Sequence, residues 1–238
     1  MKRLALASVL ALSALPTASF AQLTFNAAGF SDYRYRGISQ TRLKPAVQAG
    51  VDYAAGGLYV GAWASSIKWI QDAGGNANAE IDLYGGYKGD VVKDSLSYDV
   101  GVLTYQYPSN NLATKAETTE IYGALTFGPA TLKYSHSVSN LFGFANSKGS
   151  GYVDLSATFE VAGLSLVPHV GYQKVSNSGS YSYTDYSLTV SKDFSGLVLS
   201  AAAVGTNTKK VAGGPAYTSP KGKDLGKAAL VLGVKYNF

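Results

Sequence analysis

Lys227-Ala228-Ala229-Leu230-Val231-Leu232-Gly233-Val234-Lys235-Tyr236-Asn237-Phe238 closes the chain, and its pattern decides the fold. In an extended strand successive side chains point to opposite faces. Ala228, Leu230, Leu232, Val234, Tyr236 and Phe238 therefore share one face, and Lys227, Ala229, Val231, Gly233, Lys235 and Asn237 the other. The first face suits hydrocarbon and the second a mixed interior.

The same alternation recurs about twelve times, over residues 23–34, 44–54, 57–67, 78–88, 95–107, 116–127, 129–139, 150–161, 163–175, 181–193, 196–206 and 226–238. Most of these segments exceed the ~9 to 11 residues with which a tilted strand crosses a bilayer. Connections at Ala55-Gly56, 89–94, Gly128, Ala162 and Phe194-Ser195 are mostly tight. Those at 35–43, 68–77, 108–115, 140–149, 176–180 and 207–225 are mostly longer. The two kinds take turns, which is the asymmetry of a membrane barrel with short periplasmic turns and longer external loops. The expected fold is all-β: an antiparallel up-and-down transmembrane β-barrel of about 12 strands, with the neighbouring even counts open if one hairpin is misread. Phe25, Tyr53, Tyr87, Tyr98, Phe127, Phe159, Phe194, Tyr236 and Phe238 lie near the expected periplasmic strand ends. Amphipathic rings favour that water-lipid boundary.

Composition agrees. The 238 residues include 27 Gly and 18 Tyr with 15% charged residues, too apolar for disorder and too rich in Gly and Tyr for a helical bundle. Cysteine is absent, which excludes disulfides and thiolate sites. Mean hydropathy lies near zero, as alternating lipid-facing and lumen-facing residues require. At the N-terminus, Lys2 and Arg3 precede an uncharged run from Leu4 to Leu15, then Pro16 and the small residues of Ser19-Phe20-Ala21. This pattern predicts a cleaved signal peptide over 1–21, an exported barrel over 22–238 and placement in the outer membrane. No later stretch has the ~18 consecutive apolar residues of a spanning helix. The small excess of bases predicts no nucleic-acid partner.

Phe30-Ser31-Asp32-Tyr33-Arg34-Tyr35-Arg36-Gly37-Ile38-Ser39-Gln40, with Pro45-Ala46-Val47-Gln48-Ala49-Gly50-Val51-Asp52-Tyr53, resembles the opening of the TorF family, a proteobacterial group of outer-membrane porins. Further matching pieces are Gly57-Leu58-Tyr59-Val60-Gly61-Ala62-Trp63-Ala64-Ser65-Ser66, Tyr98-Asp99-Val100-Gly101-Val102, Tyr105-Gln106-Tyr107-Pro108 and Glu120-Ile121-Tyr122. The resemblance is densest from Phe30 to Tyr122, and it implies an outer-membrane barrel with no particular solute. The terminal strand, with Tyr236 and Phe238, also resembles the segment that the barrel assembly machinery recognises in bacterial outer-membrane proteins.

Parity assigns side chains to the lumen. Among the acids it selects Asp32, Asp52, Glu80, Asp82, Asp99, Glu120, Asp154, Glu160, Asp185 and Asp193, and among the bases Arg34, Lys44, Lys88, Lys133, Lys227 and Lys235. An acidic bore predicts a mild cation preference, because a low-dielectric wall focuses the field of fixed charges. The alternative is that these groups pair across strands and plug or brace the barrel. The external loops are basic. Arg36, Arg42, Lys209, Lys210, Lys221 and Lys223 are the candidates for contact with lipopolysaccharide phosphates, with solvated loop cations as the plain alternative. Residues 207–225, with Gly213-Gly214-Pro215 and Ser219-Pro220, are turn-rich enough to fold over the mouth. Tyr59, Trp63 and Tyr84 are placed inward, either to stack a solute or to fill space.

Other chemistry is thin. His136 and His169 are too isolated for a metal cluster, Ala73-Gly74-Gly75 lacks the context of a phosphate loop, and no cofactor is expected. Ser135-His136-Ser137 invites a lipid-face hydrolase. Adjacent residues on a strand face opposite ways, however, so a nucleophile would have to come from a neighbouring strand, and no catalytic residue is nominated. The expected function is a narrow passive channel for small polar solutes, embedded in outer-membrane lipid. The rivals are a plugged structural or surface-interaction barrel and, more remotely, the hydrolase.

Overall fold

The period-two pattern becomes a wall with two chemically different faces. The computed structural model describes residues 21–238, and the expected signal segment up to Phe20 lies outside the described residues. Strands β1 (Gln22–Phe30), β2 (Ala46–Ala55), β3 (Leu58–Ser66), β4 (Ala79–Val92), β5 (Leu96–Gln106) and β6 (Thr118–Phe127) make one half of the barrel. The other half is β7 (Ala130–Ser137), β8 (Gly151–Ala157, resuming at Phe159–Val161), β9 (Leu164–Lys174), β10 (Tyr183–Phe194), β11 (Leu197–Thr206) and β12 (Ala229–Asn237). Each strand pairs antiparallel with the next, and β12 returns to β1 with Asn26 opposite Asn237 and Phe30 opposite Gly233. The barrel of twelve strands is therefore closed. Closure leaves no row of unpaired N–H and C=O groups at an edge, the condition for a sheet surrounded by hydrocarbon.

All strand connections at one end are tight. Gly56 and Gly57 both have positive φ (56° and 90°), the geometry whose twist matches a two-residue hairpin. The opposite end carries six longer connections, L1 (residues 31–45), L2 (67–78), L3 (107–117), L4 (138–150), L5 (175–182) and L6 (207–228). A one-turn helix, α1 (Trp69–Asp72), lies in L2. Two boundaries differ from the sequence expectation for physical reasons. β1 stops at Phe30 rather than 34, because Asp32 and Tyr33 turn into the bore. β4 continues to Val92 through an irregularity at Asp90/Val92, so the expected 89–94 turn shrinks to a tight connection closed by Ser95 N–H donating to Val92 O (3.0 Å).

The outer face is apolar along its whole circumference. Leu23, Val47, Leu58, Val60, Leu83, Val102, Ile121, Leu132, Leu155, Leu188, Leu199 and Leu230 are all exposed on it. At the tight-turn end a belt of exposed rings follows: Phe25, Tyr53, Tyr87, Phe127, Phe159, Phe194, Tyr236 and Phe238. Phe238 also completes the seam, since its N–H donates to Phe25 O (3.0 Å) and its ring stacks on Phe25 at 6.3 Å.

Inside, tyrosines lie flat over glycines of the neighbouring strand. A Cβ at Gly86 would fall 2.4 Å from the Tyr59 hydroxyl oxygen, and one at Gly171 would fall 2.0 Å from that of Tyr152. Pairing a large ring with a residue that has no side chain lets a narrow bore hold tyrosines without outward bulging. This accounts for much of the joint richness in Gly and Tyr.

Candidate functional site

L1 does not stay outside the barrel. Its residues Arg34–Tyr35 and Ile38–Ser39 form a miniature hairpin, with Arg36 (φ 46°) and Gly37 (φ 79°) as its two-residue turn. The base of the hairpin is knotted on itself. Asp32, 6% exposed, accepts from Arg34 Nε (2.6 Å), Ser39 Oγ (2.6 Å) and Thr41 Oγ1 (3.1 Å). Arg34 Nη1 donates onward to the carbonyls of Gly37 (2.9 Å) and Leu225 (2.9 Å), fastening L1 to L6. One side is held by Tyr33, whose hydroxyl donates to Glu80 Oε1 (2.6 Å), while Tyr107 donates to Oε2 (2.9 Å).

The tip reaches the far wall of the bore. Arg36 donates from Nη1 to Glu120 Oε1 (3.1 Å) and from Nη2 to Glu120 Oε2 (2.7 Å), a two-pronged pair with β6, and from Nη1 to Gln173 Oε1 on β9 (2.5 Å). Its guanidinium lies 4.2 Å from the Tyr152 ring centroid and 4.8 Å from that of Tyr35. The side chains are 7% and 1% exposed for Arg36 and Glu120. Burial works against the Arg36 charge, but Glu120 outweighs it and holds the guanidinium well above its ordinary pKa. Arg36 is thus not a rim cation facing lipopolysaccharide. It is a strut across the lumen, and the expectation fails because L1 folds inward. Arg42 is also committed, to Asp72 of α1. Lys209, Lys210, Lys221 and Lys223 do lie exposed, on L6.

Below the strut, several of the acids and bases that parity selects line the bore. Asp52 accepts from the Tyr84 hydroxyl (2.5 Å), and Asp99 from that of Tyr59 (2.5 Å). Asp154 meets His169 Nε2 at 2.7 Å, and Asp185 accepts from the Tyr152 hydroxyl (2.9 Å). Lys133 Nζ lies 3.9 Å from the Tyr122 ring centroid. Lys235 is half-buried, opposite Ala28 and Val198, and Asp82 is buried with Oδ1 unpartnered among the described residues. Lys88, Asp99, Ala124, Lys133, Asp154, Gly171 and Asp185 are successive register partners from β4 to β10, so the charges climb the wall as one oblique row. Glu160 and Asp193 sit exposed near the tight turns, opposite Ser165 and Val198, and Lys44 and Lys227 are exposed near the loops. These four belong to the mouths, where strand parity no longer implies burial.

Tyr59 and Tyr84 are tied to carboxylates, and Trp63 meets Tyr33 edge-on at 5.4 Å, so these rings build the wall. The accessible aromatic surface lies instead above L1, in a vestibule of about 290 Å³ between the hairpin and loops L2, L4 and L6. Tyr35, Trp69, Tyr105, Tyr107, Phe142, Phe144, Tyr183 and Tyr217 line it. Leu225, Ile38 and Tyr183 pack as one cluster with Tyr217, so L6 covers part of the mouth as its composition predicts. Sequence parity missed this site because most of its rings come from loops, with only Tyr105 and Tyr183 from strand ends. The available signal was the density of aromatics in segments that turn chemistry alone would leave polar.

The model of a bacterial family described as a protein of unknown function, Gcw_chp, matches residues 14–238 and so takes in every strand. The chain belongs to that family. No curated protein matches it. Among solved structures, the Gcw_chp chain is similar to OccAB3 of Acinetobacter baumannii, with 12% identity, a TM-score of 0.42, and coverage of 94% of this chain and 66% of the other. It is similar also to the outer membrane protein OprD of Pseudomonas aeruginosa, with 17% identity, a TM-score of 0.40, and coverage of 91% and 65%. A third is outer membrane phospholipase A of Escherichia coli, with 12% identity, a TM-score of 0.45, and coverage of 90% and 94%. The chain spans about two thirds of the length of the first two.

The lipid-face hydrolase can be weighed on this chain's own geometry. His136 has Ile121 and Gly151 as its cross-strand partners, and its Nδ1 lies 3.2 Å from the Tyr134 hydroxyl. Ser135 and Ser137 are buried toward the bore. Among the described residues, no serine stands beside this histidine on the outer face.

Proposed function

We propose that the protein is an outer-membrane channel of the porin type, passing small polar solutes through a bore whose width is set by L1. The observation that carries this reading is the Arg36 strut. The hairpin meets the wall through side chains, Arg36 on Glu120 and Gln173 and the Tyr35 hydroxyl on that of Tyr105 (2.7 Å), while its backbone bonds to L6 through Ser39 N–H and Leu225 O (2.9 Å) rather than to a barrel strand, so the obstruction is a hung loop rather than a solid core. The apolar exterior and its aromatic belt support placement in a bilayer, with the tight turns at the periplasmic side. The resemblance of Phe30 to Tyr122 to TorF-family porins supports the same reading, and L1 lies within that stretch. A bore lined by Asp52, Asp82, Asp99, Asp154 and Asp185 as well as Lys88, Lys133 and Lys235 favours a mild preference for cations.

A second reading is a plugged, non-conducting barrel, favoured by the close fit of Gly37 against Thr206 and Asp185. Single-channel recording of the refolded protein in a planar bilayer separates the two. The channel reading expects discrete steps that become larger in Arg36→Ala. Silence in both proteins, with each shown to be a folded, heat-modifiable barrel, overturns it.

A further inference from the structure

The vestibule above L1 has a composition that neither barrel closure nor lipid contact explains. Tyr35, Trp69, Tyr107, Phe142, Phe144 and Tyr217 come from L1, L2, L3, L4 and L6, at the loop end of the barrel and away from the exposed aromatic belt at its other end. All but Tyr107 keep part of their surface accessible. Tyr35, Trp69 and Phe142 pack edge-on with Tyr105 and Tyr107 on one side and leave ring surface toward the concavity on the other, so the packed cluster doubles as the stacking wall of a ligand pocket.

Charge narrows the ligand. Asp72 is paired with Arg42, both oxygens of Glu80 accept from tyrosine hydroxyls, and Arg36 is held by Glu120 and Gln173. Both arginines around the vestibule are thus paired, so among the described residues no free cation there selects an anion, and both oxygens of the buried Glu80 are already taken up by hydroxyl donors. Two polar atoms stand apart. The Trp69 indole N–H and Asp72 Oδ2 are buried without a hydrogen-bond partner among the described residues, a donor and an acceptor three positions apart on the single turn of α1. A single group that accepts and donates at once can satisfy both, as a hydroxyl does. Since α1 is one turn long and has no side-chain cap, its two orphans can swing toward a ligand with little loss of backbone structure.

We propose that this vestibule binds a neutral saccharide, whose ring C–H faces stack on the loop aromatics while its hydroxyls engage Trp69 and Asp72. The cavity of about 290 Å³ suits a ligand of one or two sugar rings. The proposal deepens the channel reading, on which it rests for the direction of passage.

The test uses the refolded protein in an amine-oxide detergent, which carries no sugar headgroup. Tryptophan fluorescence is titrated with D-glucose, sucrose, uridine and choline, and the same preparation is recorded in bilayers with and without sucrose. The expected result is a saturable change with glucose or sucrose that Trp69→Phe abolishes. Phe142→Ala and Tyr217→Ala are expected to weaken half-saturation by about tenfold each, with heat-modifiable mobility unchanged. A response to uridine or choline alone overturns the saccharide assignment, as does no saturable response to any probe. Saccharide binding that survives Trp69→Phe, Phe142→Ala and Tyr217→Ala overturns the location. Binding without conductance overturns the channel reading and keeps the site, whereas conductance without binding does the reverse.

Discussion

The guanidinium of Arg36, at the tip of a loop that leaves the wall after β1, closes a two-pronged ion pair with Glu120 on β6, at 3.1 and 2.7 Å across the bore. Removing one member of such a pair leaves the other charged and buried, at a cost of about 3–5 kcal/mol. Because the hairpin's backbone bonds to L6 and to no barrel strand, that energy is relieved by release of the tip rather than by unfolding of the barrel. Arg36→Ala is therefore expected to raise single-channel conductance severalfold while the barrel keeps its heat-modifiable mobility. Arg36→Lys falls between, since an ammonium has one point of contact where the guanidinium has a fork. Equal conductance in all three proteins contradicts the strut.

Gly37 tests the same loop without touching a charge. Its φ is +79°, and a Cβ there would lie 2.5 Å from Thr206 Cγ2 and 2.8 Å from Asp185 Cβ. Gly37→Ala combines left-handed backbone strain with a steric overlap against the wall, together about 1–3 kcal/mol or more. The hairpin tip is expected to seat poorly, and current noise and mean conductance to rise in the direction of Arg36→Ala. Recordings indistinguishable from the unsubstituted protein would place the hairpin elsewhere in the working channel.

The wall was legible in the sequence because its signal is local. Strand alternation and the rhythm of turns locate twelve strands, and parity turns Asp52, Asp82, Asp99, Lys133 and Asp154 inward wherever the register holds. Inward folding of L1 is a different matter. Arg36 in sequence is indistinguishable from Arg42 or Lys209, and what separates it is Glu120, which lies 84 positions away and meets it only after closure. A local cue was nevertheless present. Tyr33 and Tyr35 ahead of Arg36-Gly37 and Ile38 behind it form a two-residue hairpin flanked by apolar residues, and a hairpin of that kind needs something to pack on. The vestibule stayed hidden for a similar reason, since Trp69, Phe142 and Tyr217 are brought together by loop packing, which has no period.

Gly171 and Tyr152 test the reciprocal packing of ring and glycine. The Tyr152 hydroxyl donates to Asp185 (2.9 Å) and its ring carries the Arg36 guanidinium. A methyl group at Gly171 would stand 2.0 Å from that hydroxyl oxygen and 2.4 Å from Cζ. Gly171→Ala must push the ring off its strand, with an overpacking cost of about 1–3 kcal/mol and loss of the Asp185 bond. The temperature at which the folded band disappears on unboiled gels should fall. Gly179→Ala, where the added Cβ meets nothing within 4 Å, should leave it in place. Equal midpoints for both variants refute the packing argument.

The oblique row of charges predicts which carboxylates matter for selectivity. Asp99 lies opposite Lys88 and one strand from Ala124, with Lys133 beyond, so it is the acid placed between two lysines on the half-buried wall. Asp82 is 2% exposed and lies beside the L1 anchor residue Glu80. A fixed charge biases permeation in proportion to the potential it sets in the open bore, and one sealed behind the hairpin sets less. Asp99→Asn is therefore expected to shift the reversal potential in a salt gradient toward anions more than Asp82→Asn does. In the Arg36→Ala background the gap between the two should narrow, because release of the tip exposes Asp82 to the permeating solution. A cation preference unchanged by either substitution in both backgrounds would remove the wall charges from the account of selectivity and leave the bore's width as its only control.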